Sequence, residues 1–169
     1  MSTRSSASRR ARSVRAPRSF SGTEFLRRVP DAVRGLLPSE LRRFSSGVRW
    51  SISQIWFGNA ALHYEVWLRE RQNTLEVGLH FEADPLTNAR LLAAFQARDR
   101  EIHRALGSGV RVEAWDRGWA RVWEPLALGR VDADLLAVVA SRLASYVRAL
   151  EPILRDEVPA DVEWDDPAD

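Results

Sequence analysis

Between positions 62 and 81, apolar side chains fall on every second residue in two successive runs: Leu62, Tyr64, Val66 and Leu68, then Leu75, Val77, Leu79 and Phe81. A period of two belongs to a strand with one face against a core, so this stretch predicts a β-hairpin. Both apolar sets share a face only if the loop between them holds an even number of residues. The shortest such loop is Gln72-Asn73, which sets Arg69 opposite Glu76, Trp67 opposite Gly78, Glu65 opposite His80 and His63 opposite Glu82. Each pairing is chemically matched: opposite charges meet, and an indole covers a bare glycine.

A second hairpin is expected in VRVEAWDRGWARVWE. With Asp116-Arg117-Gly118 as the loop and Gly118 left-handed, Val112 faces Val122 and Ala114 faces Ala120 toward the core. On the other side Trp115 faces Trp119, Glu113 faces Arg121 and Arg111 faces Trp123. VRWSISQIWF adds one further β-prone run before the turn at Gly58-Asn59.

Helices are expected around these strands. Ser21-Gly-Thr-Glu24 reads as a capping box ahead of a stripe of Phe25, Leu26, Val29, Val33, Leu36 and Leu37, which Pro30 should split. Pro38-Ser39 should begin another helical turn through Phe44. Asp84-Pro85 caps a helix with Leu91, Leu92, Phe95, Ile102 and Leu106 buried, ended by Gly107-Ser-Gly109. Asp132 or Asp134 caps the last, with Leu135, Leu136, Val139, Leu143, Tyr146, Val147 and Leu150 inward before Pro152. The expected fold class is α+β: helix, three strands, helix, two strands, helix, with a five-stranded, mostly antiparallel sheet and the helices on one face.

In that arrangement Trp67, Trp115, Trp119 and Trp123 project away from the apolar side, together with Arg69, Arg111 and Arg121. Indoles offer large area at low rotamer cost, and guanidinium groups stack on them or grip carboxylates and phosphates, so this face is the candidate binding surface. Its partner is expected to be a protein or a second copy of the chain, with single-stranded nucleic acid as another reading and cover by the chain's own helices or tails as a third. His63, Glu65, His80 and Glu82 share the face. A cross-strand ladder of opposite charges accounts for them without catalysis; convergence on a divalent metal in a small hydrolase is the alternative. No Ser-His-Asp order, glycine-rich phosphate loop or His-x-x-x-His helix supports an enzyme, and the expectation is a non-enzymatic module with no cofactor.

Composition narrows the chemistry further. The chain has no cysteine, which excludes thiolate metal sites, disulfides and thiol nucleophiles. It also lacks lysine, so all 25 basic residues are arginine; a phosphate-loop lysine, a Schiff base and a lysine-dependent nuclease site are excluded with it. No run reaches the roughly 18 apolar residues of a membrane span, and no apolar segment follows the paired arginines of SRRARS. A cytoplasmic location is expected.

Charge divides the chain into two. Residues 1–50 hold twelve Arg and three acids, and residues 51–169 thirteen Arg and twenty acids. Residues 1–19, rich in Ser and Arg, are expected to be a disordered basic arm in which Arg9, Arg10, Arg12, Arg15 and Arg18 can contact nucleic acid; a solubilising tail and an organelle transit peptide are the other readings. Residues 20–156 form the single α+β domain. Residues 157–169, acidic and interrupted by Pro159 and Pro167, are expected to be a flexible tail able to fold back on basic surface.

From SSGVRWSISQIWF through HYEVWL, LEVGLHFEAD, the helix bearing Asn88, EIHRALG, VRVEAWD and LEPIL, residues 45–155 resemble an uncharacterised bacterial domain. That domain is often found carboxy-terminal to restriction-endonuclease-like nuclease modules. The resemblance implies the same helix-flanked antiparallel sheet and an accessory role near nucleic-acid-processing or phage-defence machinery. It carries no functional residues across, and the residues ahead of Ser45 are too few for a nuclease, which would then be a separate polypeptide. The element order is also similar to that of type III secretion chaperones, dimers that bind extended peptides.

Overall fold

The computed structural model describes residues 18–165. Its elements run α1 (Gly22–Leu36), β1 (Ser45–Arg49), β2 (Ile52–Trp56), β3 (Leu62–Arg69), β4 (Thr74–Phe81), α2 (Pro85–Ala97), α3 (Asp99–Leu106), β5 (Arg111–Ala114), β6 (Ala120–Ala127) and α4 (Ala133–Glu157). The fold is α+β, with six strands where five were expected. They form one antiparallel sheet in the order β1-β2-β3-β4-β6-β5.

The additional strand comes from VRWSISQIWF, which is the turn of a hairpin rather than one strand. Arg49 pairs with Ile52, and Trp50 turns the chain with a left-handed φ of 51°. An aromatic residue pays a steric penalty there, which is why nothing in its identity announces a turn.

The β3–β4 hairpin keeps the expected faces but not the expected register. Its loop is Glu70 to Asn73, a 3-10 turn closed by Asn73 in the left-handed region. His63 therefore stands opposite His80, Glu65 opposite Gly78, Trp67 opposite Glu76 and Arg69 opposite Thr74. The slip is by two residues, so parity survives and only the neighbours change. The β5–β6 hairpin has the expected register throughout, with Gly118 at φ 75°.

Among the helices, α1 runs unbroken through Pro30, against the expectation that it splits there, and α4 runs through Pro152. A proline inside a helix costs about 3 kcal/mol, and each large apolar side chain buried contributes about 1.5–3 kcal/mol. Phe25, Leu26, Val29 and Val33 are buried on the α1 stripe and Leu37 just beyond it, which outweighs one lost hydrogen bond, while Leu36, expected with them, is exposed. The capping box is half realised: the Glu24 amide donates to Ser21 Oγ at 3.1 Å, while the Glu24 carboxylate pairs with Arg28. The expected helix through Phe44 is only a 3-10 turn, Ser39–Leu41. The single helix expected after Asp84 breaks at Arg98 into α2 and α3, with the Asp84 carboxylate accepting the Leu86 and Thr87 amides at its start.

All four helices contribute to one apolar cluster with the inward side chains of the sheet. One polar link is sealed inside it. The Tyr64 hydroxyl donates to Glu151 Oε2 at 2.9 Å, and Arg155 donates to the other oxygen of that fully buried carboxylate. Burial, with the charge and hydrogen bond of Glu151, holds the Tyr64 phenol well above its ordinary range, so it stays a donor. No helix among the described residues is long and apolar enough to cross a membrane.

Candidate functional site

The opposite face of the sheet carries no helix, yet much of it is buried. Trp115, just past the end of edge strand β5, covers part of it. Its ring is 5.2 Å from His80 on β4, 6.3 Å from Trp67 on β3 and 5.7 Å from Trp119 after the turn. The Arg121 guanidinium on β6 sits between indoles, 3.7 Å from the Trp123 ring and 4.7 Å from that of Trp115. An ion-pair network fastens it. Arg121 donates to Glu76 at 3.1 Å and to Glu113 at 3.0 Å, Trp123 Nε1 donates to the same Glu113 oxygen, and Arg69 reaches Glu76 at 2.5 Å.

All seven candidate binding residues thus share one face, but differ in burial. Trp123 and Arg121 are buried, and Trp67, Trp115, Trp119 and Arg69 are half-buried. Arg111 is exposed beside Trp123, with its guanidinium 5.1 Å from the ring. Of the arm, Arg18 is exposed, while Arg9, Arg10, Arg12 and Arg15 lie outside the described residues. Of the acidic end, residues 157–165 are described and engaged. Arg98 pairs with Glu157, Arg90 with Asp161, and the Asp165 amide donates to the Gly58 carbonyl. Residues 166–169 lie outside the described residues.

Next to the indoles, the two histidines and two glutamates come together around Glu65. Its Oε2 is 3.3 Å from His63 Nε2 and its Oε1 3.3 Å from His80 Nε2. The ladder reading had put Glu82 directly opposite His63; the register instead places it diagonally, where its Oε1 is 3.7 Å from His80 Nδ1. His63 Nδ1 donates to the Ala60 carbonyl at 2.9 Å, which fixes the tautomer and leaves the lone pair of the neutral ring on Nε2. Gln54 on β2 was not singled out from sequence because its strand had been merged with β1. Its amide donates to Glu65 Oε2 at 3.3 Å and lies 2.9 Å from His63 Nε2, to which it donates when that ring is neutral. The alternation of Ser53, Ile55 and Phe57 with Gln54 and Trp56 is the signal that would have placed it.

Electrostatics binds this group together. Burial pulls the His63 pKa down, but the hydrogen bond and charge of Glu65, the charge of Glu82 and the Ala60 carbonyl outweigh it, and the net direction is up. Burial likewise raises Glu65, and the His63 bond, the two imidazoles and Gln54 reverse it, leaving its carboxyl below the ordinary range. Glu65 is therefore a buried anion. One donor atom from each of His63, Glu65 and Glu82 lies within 4.8 Å of the other two.

Comparison of the chain with protein-family models, with curated proteins and with solved structures finds no match.

Proposed function

We propose that the chain is a non-enzymatic binding module whose Trp/Arg sheet face engages a protein partner. The observation that supports this is the contact of Trp67, Trp115 and Trp119 in one half-buried patch on the face where no helix packs. Joined indoles already held in place lose little entropy on binding, the property that distinguishes interface anchors from ordinary surface residues. Arg121 has its N–H groups committed to Glu76 and Glu113, so it orders the patch instead of gripping a phosphate. This favours a protein over a nucleic acid at the sheet.

Nucleic-acid contact through the arm is a second reading, favoured by the six arginines and no acids in residues 1–19. An accessory place beside nucleic-acid-processing or defence machinery belongs to the same proposal. Light scattering on the full chain and on Trp115→Ala and Trp119→Ala tests the sheet face, with a second copy as one possible partner. Binding of single- and double-stranded nucleic acid at low and high salt, with and without residues 1–19, tests the arm. Binding lost only on removing the arm places the contact there; binding lost only in the tryptophan variants overturns the choice of protein over nucleic acid.

A further inference from the structure

We infer that His63, Glu65 and Glu82 form a binding site for a first-row divalent metal ion, Zn²⁺ or Mn²⁺, on the helix-free face of the sheet, independent of the partner proposed above. Three observations carry this beyond an acidic cluster.

The first is spacing. Two donors about 2.1 Å from a tetrahedral ion stand roughly 3.4 Å apart. His63 Nε2 and Glu65 Oε2 are 3.3 Å apart, with a Glu82 oxygen within 4.8 Å of both. Rotation of the Glu82 side chain, which is 23% exposed, closes the remaining gap, and the same exposure gives the ion its way in.

The second is orientation of the ligands. A metal-binding imidazole characteristically donates its other nitrogen to a carbonyl or carboxylate, and His63 Nδ1 does so to Ala60. His80 takes the corresponding place behind the carboxylates. Its Nε2 faces the Glu65 oxygen that His63 does not use, and its Nδ1 is turned toward Glu82. That Nδ1 is buried and has no hydrogen-bond partner among the described residues, in a side chain only 1% exposed. A Glu82 carboxylate drawn in by the ion meets this unpaired nitrogen, so His80 is a positioning residue and not a ligand.

The third is charge. Two carboxylates, a neutral imidazole and a divalent cation sum to zero, which suits a site this buried. The donor set has nitrogen and oxygen but no sulfur, which fits Zn²⁺ or Mn²⁺ better than a thiophilic ion. Gln54 must respond, because its amide N–H and a cation cannot both occupy the His63 Nε2 lone pair. Turning the carboxamide over presents its carbonyl oxygen and supplies a fourth donor.

The test is calorimetric titration of the metal-stripped full chain with ZnCl₂ and, separately, MnCl₂, alongside Glu82→Gln, His63→Ala and His80→Asn. The expected result is saturable uptake of one ion per chain, abolished in His63→Ala and weakened roughly tenfold or more in Glu82→Gln and His80→Asn. Circular dichroism identifies any variant that fails to fold. Glu82→Gln is nearly isosteric at a partly exposed position, so it keeps the test decisive if His63→Ala is lost. Absence of stoichiometric uptake of either ion by the folded parent chain overturns the site, as does unchanged uptake by folded Glu82→Gln.

Discussion

His63 and His80 stand directly opposite one another on β3 and β4, their rings 8° from parallel with centroids 5.8 Å apart, and one carboxylate, Glu65, reaches both. Two imidazoles side by side in the middle of a sheet would repel when protonated. The shared anion turns that arrangement into a supported one. Neutral apolar residues would fill the same space without this dependence, so Glu65 ties the stability of the sheet to the chemistry of its open face.

Glu65→Ala should therefore be far more damaging than its place on a helix-free face suggests. It removes from a buried setting the carboxylate that both imidazoles face and that accepts from the Gln54 amide. Removing one member of a buried charged cluster costs about 3 kcal/mol. Urea denaturation followed by tryptophan fluorescence measures it, and a loss below about 1 kcal/mol would show that water readily replaces the carboxylate.

Gly78 carries a different constraint from the same strand. A Cβ there would lie 2.7 Å from the Val122 carbonyl oxygen and 2.8 Å from Trp123 Cβ. The first obstacle is backbone of the neighbouring strand and cannot rotate away. Gly78→Ala should destabilise by about 1–3 kcal/mol and loosen the Arg121–Trp123 stack. A thermal melt gives the first effect, and near-ultraviolet circular dichroism of the indoles gives the second.

What the sequence discloses follows from where one face is buried. The alternation over 62–81 identifies two strands and their inward side because every odd slip would expose Tyr64 or Leu79. It cannot separate even slips, so the ladder neighbours of His63 and Glu65 had to come from the loop, and Asn73 offered the only local sign. In the second hairpin Gly118 pins the turn, so Arg111, Glu113 and Arg121 fall where the pattern put them. The burial of Arg121 and Trp123 was not legible. Arg121 is held between Trp123 and Trp115, and Trp115 itself reaches over to Trp67, a contact between residues 48 apart in the chain that no local period encodes. The break at Arg98 was equally hidden, since neither glycine nor proline marks it.

Trp50 is the clearest case of a residue at odds with its backbone. It holds φ at 51° and is 83% exposed, with Arg49 stacked 4.8 Å from its ring. Glycine adopts this conformation without the side-chain clash, which costs other residues about 1–2 kcal/mol. Allowing for the greater freedom of glycine when unfolded, Trp50→Gly should raise stability by about 0.5–1 kcal/mol, or roughly 2–4 °C in Tm at the upper end. A fall in Tm would mean that the Arg49 stack outweighs the backbone penalty.

His103 gives the chain a pH dependence away from the candidate site. Its Nδ1 is 3.0 Å from Asp99 Oδ2 and its Nε2 is 2.9 Å from the Val110 carbonyl, so both nitrogens face acceptors. Only the imidazolium satisfies both. The Val110 carbonyl raises the pKa above its ordinary 6.5, partial burial opposes, and the Asp99 charge adds to the rise. Because the folded-state value is the higher one, this stabilisation is complete below pH 6.5 and disappears as pH climbs through the folded-state pKa. Proton NMR titration of the His103 ring should give a midpoint above that of a free histidine. The stability difference between parent and His103→Gln should shrink toward alkaline pH.

Gly58 and Trp164 make the last prediction, which concerns how the acidic end is held. A Cβ on Gly58 would fall 2.1 Å from the Trp164 ring, so the indole lies directly on the bare backbone of the β2–β3 connection. The contact is reinforced by the Asp165 amide donating to the Gly58 carbonyl at 2.8 Å and by Asn59 Nδ2 donating to the Glu163 carbonyl at 2.9 Å. A methyl group at position 58 must expel a rigid bicyclic ring, and the two backbone-directed hydrogen bonds leave with it. Gly58 itself has no left-handed φ, so alanine fits the local conformation and the effect is confined to the docked segment. Gly58→Ala should therefore release residues 159–165 while costing the rest of the fold little. Limited proteolysis should then cut within residues 160–165 much faster than in the parent, with an almost unchanged global denaturation midpoint. Equal cleavage rates would mean that Arg90–Asp161 and Arg98–Glu157 alone keep the segment in place.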